Sequence, residues 1–232
     1  MFVAEGVRSV EELLRSGLAI RGALVAPQLT DAPRGANLRR QLEDSRVELA
    51  EVSEKEFRSA AETDSPQGVL AIADVPPRTL DTLQLPAKCR LLVLDAVQDP
   101  GNVGTILRTA AALGASATIA LPGTVDLWNP KVIRSSMGAQ FHHPALHADL
   151  EALLTFLEQS RIELWAADSN GTPLEAQTAP ARLAIVVGNE GAGISSSIGA
   201  KAQRTIALPI SGDVESLNVA VAAGILLYEL RQ

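Results

Sequence analysis

The chain has 232 residues, enough for one large domain or two small ones, and 47% of them are hydrophobic, so a substantial core is available. No apolar run approaches the roughly 20 residues that span a bilayer, and the opening MFVAEGVRSVEELL lacks the basic region and apolar stretch of a signal peptide. The single cysteine, Cys89, excludes an internal disulfide, and these features together predict a soluble cytoplasmic protein. The net charge of −7 is shared by both halves and argues mildly against nucleic acid as a partner, unless a local basic face exists.

The first half, 1–73, alternates short strands and helices after a strand that starts at Phe2. Val7–Gly17 sets Val10, Leu13 and Leu14 at helical spacing, with Ser9 as N-cap and Gly17 as the stop. A strand is predicted over Ala23–Val25, a helix over Arg34–Ser45 and a strand over Val47–Val52. Ser53 followed by Glu56 is a capping-box start for a third helix. Ser65–Gly68 reads as a turn before the strand Val69–Ala73. Asp74–Lys88 contains three prolines and no sustained period, which marks it as a linker.

From Cys89 to the end, strands and helices alternate regularly. Arg90–Leu94, Thr118–Leu121, Glu163–Ala167, Leu183–Val187 and Arg204–Leu208 read as strands. Val103–Gly114, Leu150–Gln159, Ser195–Ala200 and Leu217–Leu230 read as helices. This pattern predicts an α/β fold with a mostly parallel sheet covered on both faces.

Three segments beside predicted strands carry residues suited to chemistry, and ligands collect at strand ends in such sheets. In the first, Asp99-Pro100-Gly101-Asn102 forms a turn after a buried strand, Asn102 sits near the N-cap of the next helix, and Arg108 follows almost two turns in. Capping and a solvated charge would account for both residues. A dinucleotide-binding turn is a second reading, weakened because G-x-G-x-x-G is absent. In the second, the strand Leu183–Val187 opens into Gly188, Glu190, Gly191 and Gly193, where glycines let backbone approach a ligand. In the third, Ser216 is an N-cap candidate for the last helix, with Asn218 in its first turn, and a helix N-terminus suits a phosphate or a developing oxyanion.

Taken in this order, the segments resemble the three motifs of the SpoU–TrmH family of RNA ribose methyltransferases. The likeness runs through Asn102-Val103-Gly104 to Arg108, Gly188-Asn189-Glu190-Gly191, and Leu208-Pro209-Ile210 to Ser216-Leu217-Asn218, with Lys131–Gln140 similar to the segment between the first two. Residues 1–73 resemble the substrate-binding domain many members carry, a small α/β fold akin to certain RNA-binding ribosomal proteins. Members with this domain usually begin with a basic helix ahead of the strand that here starts at Phe2.

The resemblance implies three parts: an RNA-binding domain over 1–73, the linker 74–88, and a parallel-sheet methyltransferase domain over 89–232 with a trefoil knot, an arrangement that general folding rules would not predict. It implies S-adenosylmethionine as cofactor, an RNA substrate (ribosomal before transfer RNA), and a homodimer. Cofactor contacts fall near Gly188, Leu208 and Leu217. Arg108 would stabilise charge developing on the ribose oxygen, since arginine stays protonated at neutral pH. Asn102, Ser216 and Asn218 would orient the nucleotide and Arg108, and Glu190 would pair with Arg108 or support the glycine loop. RNA contacts would come from Arg8, Arg34, Arg39, Arg40, Lys131 and Arg134. His143 and His147 are four apart, but Pro144 argues against the helix that would make this a metal-chelating spacing, and no metal is expected. A non-catalytic RNA-binding protein on the same fold is the main alternative, and a nicotinamide-dependent oxidoreductase a distant one.

Overall fold

The computed structural model describes residues 1–176, 178–210 and 216–231, apart from the side chain of Ala176. The first half contains β1 (Phe2–Glu5), α1 (Val7–Ser16), β2 (Ile20–Val25), α2 (Pro33–Asp44), β3 (Leu49–Glu51), α3 (Glu54–Ala60) and β4 (Val69–Ala73). Its strands form a sheet in the order β1-β4-β2-β3, antiparallel except for the β2/β3 pair. The capping box at Ser53 and Glu56 forms as its spacing predicts, with the hydroxyl and the carboxylate each receiving the other's backbone N–H. Ser9, by contrast, is buried inside α1; the cap position is Gly6, and the side chain of Gln67 accepts the Val7 N–H instead.

The second half runs β5 (Cys89–Asp95), α4 (Pro100–Ala112), β6 (Ala117–Ala120), α5 (Pro130–Ser136), α6 (Ala139–His142), β7 (Ala145–His147), α7 (Leu150–Gln159), β8 (Glu163–Pro173), β9 (Arg182–Gly188), α8 (Ser196–Gly199), β10 (Arg204–Ala207) and α9 (Val219–Glu229). Its strands form a parallel sheet in the order β10-β8-β9-β5-β6-β7. The alternation of side chains along β5 explains its unbroken apolar run. Leu92 and Leu94 join a core with α4 and α9, whereas Leu91 and Val93 join a second core with α7 and α8 on the other face. Gly104 lets α4 approach α5 closely: a Cβ there would lie 2.4 Å from Ser135 Cβ and 2.6 Å from the Val132 carbonyl oxygen.

The predicted linker is not free of structure. Residues 80–82 form a short turn of 3-10 helix with Leu80 buried, and the Arg78 guanidinium donates to the carbonyls of Phe141 and His143. The two halves also share one apolar core. Phe2 brings its ring 4.5 Å from that of Trp128 and 5.5 Å from that of Phe141.

Candidate functional site

The site lies where the C-terminal ends of β5, β9 and β10 meet the start of α9. Glu190 ties these segments together. Its Oε1 accepts from the Asn102 side-chain amide at 3.0 Å and the Asp99 N–H at 3.2 Å, and its Oε2 accepts from the Gln98 N–H at 3.3 Å. Asn102 Oδ1 in turn accepts from the Asn218 amide at 3.0 Å, so one chain of hydrogen bonds crosses all three motifs. Burial alone would push the Glu190 carboxyl up, but the hydrogen bonds from Asn102 and the backbone outweigh it and hold it below the ordinary range.

Local chemistry orders each segment. Asp99, not Asn102, caps α4, its Oδ1 accepting from the Asn102 N–H at 2.8 Å. This frees the Asn102 amide to bridge Glu190 and Asn218. Likewise Asn218, not Ser216, caps α9, its Oδ1 accepting from Ala220 N–H at 2.9 Å and Val221 N–H at 3.3 Å. Asp95 is buried at the end of β5 and accepts from the Ser195 N–H at 2.6 Å. Asn189 donates to the carbonyl of Ala96, itself at φ +55°, and accepts from Gly191 and Ala192 N–H at 2.9 Å each. Gly188 is required by this loop: a Cβ there would stand 2.2 Å from the Gly193 carbonyl carbon.

A cleft of about 480 Å³ opens beside this network, in the range of small-molecule sites. The expected cofactor residues Gly188, Leu208 and Leu217 all line it, as do Glu190, Ser216 and Asn218. Val187, Leu208, Leu217 and Val219 supply an apolar wall, and Asp168 and Glu190 supply carboxylates. Among the described lining residues none is Lys, Arg or His. This donor set fits S-adenosylmethionine, which has an aromatic base and a positively charged sulfur. It does not suit a dinucleotide pyrophosphate, because the Asp99 carboxylate caps the helix N-terminus that such a ligand would use.

Other expected residues lie elsewhere. Arg108 is exposed on α4 outside the cleft and its side chain makes no hydrogen bond or ion pair with a described residue, so the expected pairing with Glu190 does not form. Of the basic candidates, Arg34 pairs with Glu11, Arg39 with Glu43 and Glu51, and Arg134 with Glu62. Arg8, Arg40 and Lys131 are exposed. His143 is buried with Nε2 2.8 Å from Thr118 Oγ1, and burial, with the nearby Arg78 charge, pushes its imidazole down to about 4. His147 Nε2 accepts from the Leu127 N–H, and His142 faces Glu12. Among the described residues no cluster of His, Cys, Asp and Glu is arranged to hold a metal. Sequence reasoning missed Asp168, although its place just beyond the predicted strand Glu163–Ala167 was the same signal that exposed the three motifs. Part of the third motif, residues 211–215, lies outside the described residues.

Fold and site together define a two-part α/β protein with a small-molecule cleft at the C-terminal edge of a parallel sheet. Residues 90–228 match the SpoU rRNA Methylase family and residues 1–71 an MRM3-like substrate binding domain. The chain belongs to the SpoU rRNA methylase family. It is 36% identical to the 23S rRNA (guanosine(2553)-2′-O)-methyltransferase RlmP of Bacillus subtilis, over 99% of this chain and 88% of that protein. The crystal structure of the SpoU methyltransferase AviRb from Streptomyces viridochromogenes in complex with AdoMet superposes with a TM-score of 0.90 at 28% identity, covering 99% of this chain and 88% of AviRb. An AdoMet-bound rRNA methyltransferase from Sinorhizobium meliloti superposes with a TM-score of 0.87 at 28% identity, covering 99% and 86%.

Proposed function

We propose that this chain methylates a ribose 2′-hydroxyl of ribosomal RNA with S-adenosylmethionine as donor. The observation that carries the reading is the cleft itself, built from the second and third motifs and joined to the first through Glu190, Asn102 and Asn218. Family membership and the reaction named for the Bacillus subtilis relative support the same chemistry. When bound, S-adenosylmethionine supplies an electrophilic methyl group on a positively charged sulfur.

The chain's own residues have separable tasks in this reading. Gly188, Leu208 and Leu217 hold the adenosyl part, mainly through backbone and apolar contact. Glu190 holds Asn102, Asn102 holds Asn218, and Asn218 with Ser216 presents polar groups at the cleft to orient the ribose. A ribose hydroxyl is a weak nucleophile at neutral pH, so its developing charge needs stabilisation. Arg108 supplies that charge from outside the cofactor cleft, its exposed guanidinium, unpaired among the described residues, being available to incoming RNA. Residues 1–73 form the RNA-binding part.

A trefoil knot, a homodimer and a cytoplasmic setting complete the reading. The knot rests on the resemblance of the three motifs to the SpoU–TrmH family; just beyond α9, the Leu230 carbonyl receives Arg90 Nε of β5 at 2.6 Å, which brings the end of the chain back beside β5. The dimer is supported by Val221, Ile225 and Tyr228, an apolar stripe on α9 that stays 39–51% exposed. The cytoplasmic setting is supported by the single buried cysteine and an RNA substrate; no helix among the described residues is long and apolar enough to cross a membrane.

Titration calorimetry with S-adenosylmethionine, and mass spectrometry of ribosomal RNA from cells lacking the gene and cells with it restored, test the proposal. The expected result is measurable binding and one 2′-O-methyl mark that disappears and returns. Cofactor binding with no change in any RNA would favour the non-catalytic alternative, and absence of binding would overturn the reading.

A further inference from the structure

We propose that Asp168 makes this cleft discriminate between the positively charged cofactor and its neutral product, and so favours replacement of spent product by fresh cofactor. The inference rests on the reading of the cleft as an S-adenosylmethionine site.

Among the described lining residues the charged groups are two carboxylates, Asp168 and Glu190, and no cation. Glu190 is already committed, since both its oxygens accept hydrogen bonds from the first motif. Asp168 is not. Its Oδ1 accepts from the Asn170 backbone N–H at 2.9 Å and side-chain amide at 3.2 Å, which holds the carboxylate in one orientation. No described group donates to its Oδ2. Asp168 is half-buried on β8, the strand between β9 and β10, and the loops beyond those two strands form the other walls of the cleft. Partial burial reduces the screening of its charge by water.

The chemistry makes this charge useful at one stage of the cycle. Methyl transfer breaks the C–S bond as the O–C bond forms, the electron pair stays on sulfur, and the ribose proton leaves to solvent. Sulfur therefore goes from a cationic sulfonium to a neutral thioether, while the rest of the molecule keeps its charges. A fixed carboxylate with no cation among the described residues lining the cleft attracts the first state more than the second. Contacts to the adenosyl part, in contrast, hold both states equally and add nothing to their discrimination.

The test is calorimetric titration of wild type and Asp168→Asn with three probes: S-adenosylmethionine, S-adenosylhomocysteine, and sinefungin, which keeps a positive charge near the sulfur position. Asp168→Asn keeps the size and the Oδ1 acceptor, and its melting temperature is measured to confirm folding. The expected result is a loss of affinity on the order of five- to tenfold for S-adenosylmethionine and sinefungin, with S-adenosylhomocysteine nearly unchanged. In wild type, raising the salt concentration should narrow the gap between the charged and neutral probes. Equal loss for all three probes would show that Asp168 binds a shared part of the ligand, and no loss would show that it binds none; either overturns the proposal. If wild type binds none of the three, the reading of the cleft itself fails, and this inference with it.

Discussion

Asn102 and Glu190 stand 88 positions apart in the chain, yet the amide of one donates to the carboxylate of the other at 3.0 Å. Because Glu190 also accepts two backbone N–H groups from residues 98 and 99, it fixes the first motif as well as the second. Glu190→Ala is expected to lower single-turnover methylation about 10- to 100-fold, as a displaced positioning group does elsewhere, with a smaller effect on cofactor affinity. Glu190→Gln retains one acceptor oxygen for Asn102 and should recover part of the rate. Equal loss of cofactor affinity and rate in Glu190→Ala would show that Glu190 is a binding residue.

Gly188 presents a contrasting case. A Cβ at this position would collide with the backbone of Gly193 and Ile194, so even Gly188→Ala must push the glycine loop outward. Both Gly188→Ala and Gly188→Val are expected to weaken cofactor binding at least about tenfold and to lower the melting temperature, because overpacking a tight contact costs about 1–3 kcal/mol. Wild-type affinity in Gly188→Ala would show that the loop yields without disturbing the cleft.

Arg108→Ala is expected to reduce the methylation rate by a factor on the order of 10² or more, as loss of a preorganised charge-stabilising donor does. Cofactor affinity should change little, since Arg108 does not line the cleft. Arg108→Lys keeps the charge but loses the planar fork and should rescue only partly. Near-normal single-turnover rates in both variants would remove Arg108 from the reaction.

His143 makes stability depend on pH. Its folded pKa is depressed from 6.5 to about 4 by burial and by Arg78, so between those values the unfolded chain binds a proton that the folded chain does not. Stability therefore rises with pH across this window and falls on acidification, with about 2 kcal/mol lost to this group by pH 5. His143→Gln is expected to be less stable at pH 7 but to lose less between pH 7 and pH 5, as read from urea unfolding. An identical decline in both proteins would show that His143 does not titrate as its burial requires.

Charging the exposed stripe of α9 tests the dimer. Ile225→Asp is expected to shift the sedimenting species from dimer to monomer at micromolar concentration. Ile225 is partly exposed, so the subunit fold should survive the change. A wild-type protein that is monomeric at that concentration would overturn the proposal.

Much of this architecture was legible one element at a time. The apolar runs at Leu91–Leu94 and Leu183–Val187 are strands, Gly17 ends α1 in the left-handed conformation, and Ser53 and Glu56 form their capping box. Capping was less legible wherever two polar residues compete. Asp99 takes the cap expected of Asn102, and Asn218 the one expected of Ser216, because which side chain turns inward depends on what else it must meet. The extent of β8 was also missed, since Asp168, Ser169 and Asn170 are polar and the pairing with β10 resumes only at Thr172 and Pro173, past a register shift.

What the sequence by itself determined is the alternation of elements, the parallel sheet and the three segments that carry chemistry, because hydrophobic period and turn residues act over a few positions. Only the tertiary structure decided that Glu190 binds Asn102 rather than Arg108, that the two halves share a core through Phe2, and that Asp168 lines the cleft. These are contacts between residues far apart in the chain, set by strand order and crossover path. No local preference encodes them; they depend on how the apolar faces on both sides of β5 are buried.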